Sequence, residues 1–337
     1  MVASRHRITN PDNAMARYIL GRILSLVLVL FVVSVVTFFL MHQVPGGPFD
    51  ETKAPLPPAA KENILRKYGL DKPIHIQYLN YMKNVVLYFD FGIPYQQPTT
   101  TVTALIAKSW KVTVQVGAMT VLLAFGVGIT LGIYAAYHQN SWIDNITTFI
   151  AMLGITVPSF VVAMWLILFF AVRLDWLPMG GWNASESCLI GSAFVCTDWI
   201  MPVVAYALGP LAIIARYTRS SMVDVMRQDF TRTARAKGLG NRAIMLRHIL
   251  RNALIPMVTA LGVIIPNLLT GSIFIEAVFR INGLGKFFVT SIFNRDYPMI
   301  MALFLLIAFL WSLTYLFTDI VYTWIDPRVR LGAEGGV

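Results

Sequence analysis

The stretch Arg216–Pro256 reads RYTRSSMVDVMRQDFTRTARAKGLGNRAIMLRHILRNALIP and lies between segments apolar enough to span a bilayer. It carries nine Lys/Arg (Arg216, Arg219, Arg227, Arg232, Arg235, Lys237, Arg242, Arg247, Arg251) against two acids, Asp224 and Asp229. Such a basic excess in a short loop places it on the cytoplasmic side of a membrane. Met222, Met226, Phe230 and Ala234 recur every fourth residue, beside Val225 and Thr233, and predict one face of a continuous helix. Gly238-Leu239-Gly240 ends that helix with a glycine where a left-handed residue is needed. Asn241 can then cap a second helix running through Arg251. The expectation is a helix, a glycine knuckle and a helix. Charge and periodicity alone leave open whether it only fixes topology or touches anionic lipid, or docks a partner.

The composition agrees with a membrane protein. Of 337 residues, 57% are hydrophobic and 13% charged, with a net charge of +10, whereas soluble domains average about a quarter charged residues. The positive charges lie beside membrane spans, not among aromatic stacking strips, which argues against a nucleic-acid partner. Cys188 and Cys196 fall in an expected external loop, where a disulfide and two free thiols both remain open.

Along the chain, residues 1–16 read as a cytoplasmic tail and 17–42 as a first retained span. Pro45-Gly46-Gly47-Pro48 stops it. Residues 43–111 form an external segment with two short helices, Ala59–Tyr68 and Ile74–Tyr88, whose Tyr78, Tyr81 and Tyr88 suit an interfacial belt. A second span, Val112 to Tyr137, contains Gly117, Gly126, Gly128 and Gly132, placed for close helix packing. The third, Trp142 to Val172, is bent at Pro158, either to shape a pathway or to fit a neighbour. Residues 173–198 are external, and the fourth span enters the basic loop. The fifth runs from Pro256 to about Phe279, interrupted by Pro266, and the sixth from Pro298 to Ile325. The core thus covers 112–326, and 327–337 form a second cytoplasmic tail. Glu276 and Asp319 are the acids within or near spans, and Glu276 is a candidate pathway or gate residue that could instead reach water at the outer end.

Several strings resemble a known family. Thr233-Ala-Arg-Ala-Lys-Gly-Leu239, followed by Arg251-Asn-Ala-Leu-Ile-Pro256, is similar to the cytoplasmic coupling loop of ABC importer permeases. More narrowly, it resembles the B-type permeases of dipeptide and oligopeptide importers. The general motif has Glu-Ala-Ala where this chain has Arg232, Thr233 and Ala234, a departure that the peptide-importer branch shares. Tyr68-Gly-Leu-Asp-Lys-Pro73, Gln77-Tyr-Leu-Asn-Tyr81, Asp90-Phe-Gly92, Asn282-Gly-Leu-Gly285 and Arg295-Asp-Tyr-Pro298 carry the resemblance further, although Asn282 stands where a proline is usual. Asp326-Pro-Arg-Val-Arg330 extends it to the C-terminal tail.

The resemblance implies an all-α integral membrane protein with six transmembrane helices. Its fold would be that of a type I ABC importer permease with an external insertion between helices 1 and 2. It would sit in a bacterial inner membrane with both termini cytoplasmic. Expected partners are a second homologous permease, two ATPase subunits, an external substrate-binding protein and membrane lipid. The coupling residues would be Arg232, Ala234, Arg235, Lys237, Gly238 and Leu239, with 216–251 as the coupling loop. Peptide is the expected cargo; nickel, glutathione or another small solute is the alternative.

Enzyme chemistry finds no support in the sequence. There is no Gly-x-x-x-x-Gly-Lys-Ser/Thr string, so ATP would be hydrolysed by another subunit. The five histidines have no metal-ligand spacing, and no Gly-x-Ser-x-Gly elbow occurs. No cofactor, metal or catalytic residue is expected. The further alternative, an ATP-independent secondary transporter, usually needs acids near the midplane and inverted repeats; the chain shows no repeat and few such acids.

Overall fold

Leu24, Val27 and Leu28 of the first helix are each more than half exposed, an arrangement that water penalises and hydrocarbon does not. The computed structural model describes residues 11–45, 47–48, 57–182, 197–240 and 243–325. Among these residues there is no strand. A helix satisfies its own backbone, so it suits lipid.

The chain opens with α1 (Pro11–Gln43). Two shorter helices follow, α2 (Pro58–Tyr68), closed by left-handed Gly69, and α3 (Ile74–Tyr88). Tyr78 shares a 2.8 Å hydrogen bond with Ser34 of α1 and packs edge-on against Phe38, whereas Tyr88 is exposed. Helix α3 is therefore tied to α1.

Helix α4 (Val102–Tyr137) starts ten residues before the expected Val112. Thr101 sets this start, its hydroxyl accepting the Ala104 amide. The expected third span is instead two helices, α5 (Trp142–Thr156) and α6 (Ser159–Leu166), the latter continued by a π-helical stretch Ile167–Arg173. Their axes differ by 103°. Val157, preceding proline, is extended at φ −83°, ψ 123°, as the proline ring requires. The sequence suggested a bend, and the chain turns through more than a right angle.

Helix α7 (Ile200–Met226) runs into the basic stretch, where α8 (Asp229–Ala236) follows. A π-helical stretch Ile244–Ile249 leads into α9 (Leu250–Ala253). Then come α10 (Ile255–Thr270), α11 (Ile273–Val278), α12 (Leu284–Phe293) and α13 (Tyr297–Ile325). The fifth span was expected to be interrupted at Pro266. Helix α10 instead passes through Pro266 and stops at Gly271, whose φ of +83° no other residue adopts cheaply. Thr270 Oγ1 donates to the Pro266 carbonyl at 3.0 Å, occupying an oxygen near this helix end.

Among the described residues, four helices are long and apolar enough to cross a membrane: Ile19–Gln43, α4, α7 and Tyr297–Thr318 of α13. The α5–α6 pair makes five if it counts as one broken span. Helix α10 has 16 residues, short of the roughly 20 that a straight crossing takes.

Helices α4 and α7 form the most extensive pairing. Glycine is the reason: a Cβ at Gly128 would lie 2.9 Å from the Leu211 carbonyl oxygen, and one at Gly132 2.7 Å from that of Ala215. Gly117 is approached as closely by Leu268 of α10, whereas Gly126 faces open space. Three of the four glycines thus serve packing. Buried apolar residues cluster all along the bundle, with Ala124, Ala207, Ile214, Ile264 and Leu268 joined mid-span. An outer cluster joins Val112, Ala163, Met201, Ile275 and Phe279, and an inner one joins Ala136, Met222, Val225, Ala234 and Ile249.

Candidate functional site

The basic stretch folds onto the C-terminal ends of α4 and α7. The predicted continuous helix from Met222 to Ala234 breaks: α7 ends at Met226, and Gln228 is extended at φ −74°, ψ 153°. Thr231, fully buried, explains the break. Its hydroxyl donates to the Val225 carbonyl at 3.0 Å, satisfying a terminal acceptor of α7 from within α8. The period-four pattern therefore spans two helices. Met222 and Ala234 are buried, while Phe230 is 38% exposed.

Gly238 behaves as its position predicts. It is left-handed at φ +73°, the Leu239 amide donates to the Ala234 carbonyl and the Gly238 amide to that of Arg235. These two bonds make a Schellman closure of α8. The Gly240 carbonyl then accepts from the Ala243 and Ile244 amides, opening the next helical turn. Asn241, the expected cap, lies outside the described residues.

The candidate coupling residues separate into two sets. Ala234 faces inward, packed in the cluster with Met222, Val225 and Ile249. It holds α8 to α7 and presents nothing outward. Arg232, Arg235, Lys237, Gly238 and Leu239 are exposed, Leu239 at 43%. Arg232 lies 3.6 Å from Asp229, with both side chains at least three-quarters exposed, so the pair adds little stability. What faces outward is a cationic surface with two apolar knobs, Phe230 and Leu239.

Above the hairpin, Asp144 and Arg219 form a pair that the sequence reading missed. Arg219 donates from Nε and Nη2 to the two carboxylate oxygens, the latter at 2.6 Å. The Asn140 amide donates to the same carboxylate at 2.9 Å. Arg219 had counted only as one positive-inside charge. The Ser141-x-x-Asp144 spacing of a helix start was visible, but not its partner 75 residues away.

Glu276 does not reach water. It is 1% exposed, and three donors converge on it: Thr113 Oγ1 at 2.9 Å, the Gly285 amide at 2.7 Å and the Lys286 amide at 3.3 Å. The amides belong to the first turn of α12, where a carboxylate meets the positive end of the helix. Thr113 completes the arrangement by accepting the Leu284 amide at 2.9 Å. The carboxylate thus pins α4, α11 and α12 together. Pro158 sits at the α5–α6 break. Cys188 and Cys196 lie outside the described residues, and the side chain of Asp319 is likewise not described. No cluster of three or more potential metal ligands occurs among the described residues.

Comparison with known proteins matches this architecture. Residues 128–331 fit the family described as binding-protein-dependent transport system inner membrane component, and residues 15–117 fit the N-terminal region of such membrane components. The dipeptide transport system permease protein DppB of Bacillus subtilis is 38% identical over 95% of this chain and 100% of its own length. The oligopeptide transport system permease protein OppB of Salmonella typhimurium is 40% identical over 94% of this chain and all of its own. An inward-facing structure of the MetNI methionine ABC transporter superposes with a TM-score of 0.52 at 18% identity, covering 66% of this chain and 97% of the matched one. This last likeness concerns the fold alone. A multi-pass helical chain matched over nearly its whole length belongs to the family of binding-protein-dependent transport system inner membrane components.

Proposed function

We propose that this chain is one permease subunit of an ATP-driven importer of peptides. It pairs with a second, homologous permease to enclose the pathway, and an external binding protein delivers the cargo. Two ATPase subunits bind below and hydrolyse the ATP. The α5–α6 pair and α10 with α11 complete six crossings, with both termini cytoplasmic in a bacterial inner membrane. The dipeptide and oligopeptide permeases that match over their full length support peptide as the cargo. The observation that carries the reading is the hairpin: a glycine-closed turn that exposes Leu239 among Arg232, Arg235 and Lys237, anchored by the buried Ala234. An exposed apolar knob ringed by arginines suits an acidic groove with an apolar floor.

The test uses the assembled complex in proteoliposomes. A Cβ at Gly238 meets nothing within 4 Å in the single chain, and asparagine tolerates its left-handed backbone. Gly238→Asn therefore leaves the chain inserted and folded, as does Leu239→Asp. Both are expected to weaken retention of the ATPase subunits and to lower ATP-driven uptake by about tenfold or more. Wild-type retention and uptake in both variants would overturn the docking role. Loading the binding protein with a ligand panel separates peptides from nickel, glutathione and other small solutes.

A further inference from the structure

We infer that Asp144 and Arg219 are positioning residues that carry movement of the hairpin into α5, with the break at Val157–Pro158 absorbing it. This rests on the importer reading and adds the path by which the hairpin reaches the spans. Arg219 lies on α7, seven residues before that helix ends at Met226. At 1.5 Å per residue this is about 10 Å of rigid helix. The hairpin is fixed to the same helix end through Thr231 and the cluster of Met222, Val225, Ala234 and Ile249. A push on the hairpin therefore arrives at Arg219.

On the other side of the pair, Asp144 is the third residue of α5 and its side chain is 3% exposed. The turn before α5 wraps around the carboxylate. Asn140 is left-handed at φ +64° and donates its amide to it, and the Ser141 hydroxyl accepts the Asp144 amide. Asp144 and Ala151 are the buried residues of α5, which otherwise turns a broad apolar face outward. Near its other end α5 also packs closely on α7, where a Cβ at Gly154 would lie 2.9 Å from the Leu208 carbonyl oxygen, so α5 and α7 move as one unit. A bidentate arginine fork grips in direction as well as distance.

Beyond Pro158 the attachment changes. Ala163 of α6 packs in the outer cluster with Met201, Ala205, Ile275 and Phe279. Pro158 offers no N–H to bond back into α5, so the two helices meet at 103° with no continuous ladder across the break. Helix α5 is thus fixed to α7 both through the Asp144–Arg219 pair and at Gly154, and the proline break separates it from α6. That is the placement of a hinge.

The experiment compares ATP hydrolysis and uptake of the full complex in proteoliposomes for wild type, Arg219→Gln, Arg219→Lys and the charge swap Asp144→Arg with Arg219→Asp. The expected result is retained hydrolysis with uptake per ATP lowered about tenfold in Arg219→Gln. Arg219→Lys, which keeps the charge but loses the fork, is expected to fall between, and the swap to recover most of the ratio. A wild-type ratio in Arg219→Gln would overturn the proposal. So would a swap that restores thermal stability and assembly but not the ratio, since the pair would then be structural only. If Arg219→Gln does not assemble, the ratio in Arg219→Lys and in the swap decides. If the wild-type complex itself shows no ATP-driven uptake, the importer reading fails and this role falls with it.

Discussion

Replacing Glu276 by alanine strands three donors at once. The Thr113 hydroxyl and the Gly285 and Lys286 amides all end on this carboxylate, and the Thr113 and Gly285 contacts are buried. Hydrogen bonds to a charged group contribute about 1.5–3 kcal/mol each, and stranded buried donors cost about 1–3 kcal/mol. The surroundings cannot collapse into the space. A Cβ at Gly271 or Gly283 would lie 2.5 Å from carboxylate atoms, so bare backbone lines the site. A loss of about 4–5 kcal/mol is expected for Glu276→Ala, allowing for non-additivity. At roughly 2 °C per kcal/mol for a large chain, the apparent melting midpoint in detergent falls by about 8–10 °C.

Glu276→Gln separates pinning from bulk. Its oxygen still accepts from the Gly285 and Lys286 amides, and only the Thr113 contact is reversed. It is expected to lose about 1–2 kcal/mol and to keep transport. Equal melting of Glu276→Ala and wild type would refute the pin. A Gln variant that melts like wild type but does not transport would return Glu276 to the pathway.

Two further outcomes follow from the packing and the charges. Gly132→Leu forces a side chain against the Ala215 carbonyl and Thr218 on α7, so it is expected to cost about 3 kcal/mol or more and to lower the yield of folded chain in detergent, whereas Gly126→Leu, facing open space, leaves the yield unchanged. Asp296 lies just outside the last span, and burial pushes its carboxyl above the usual range, more than the Gln96 and Met299 amides lower it. A raised native value means that Asp296 favours the fold when protonated. That contribution is fully present below the unfolded carboxylate value near about 4 and is lost as pH rises through the native one. Asp296→Asn should therefore flatten the pH dependence of the melting midpoint above that range, and an unchanged profile would count against the buried charge.

The sequence by itself determined what depends on neighbours along the chain. Hydropathy marked the spans, arginine density marked the hairpin, and a single glycine after a helical run fixed the Schellman closure, since left-handed backbone is a local demand. The two short helices after the first span came out nearly to the residue for the same reason.

Tertiary structure decided the rest. The period through Met222, Met226, Phe230 and Ala234 does not reveal that Thr231 reaches back to Val225 and splits the helix. Pro158 announces a bend, but the packing of α5 and α6 on different parts of α7 sets it at 103°. The partners of Glu276 and Asp144 lie 163 and 75 residues away. An acid in the sequence shows its own charge, and only the folded neighbours decide whether that charge faces water, a gate, an arginine fork or the first turn of a helix.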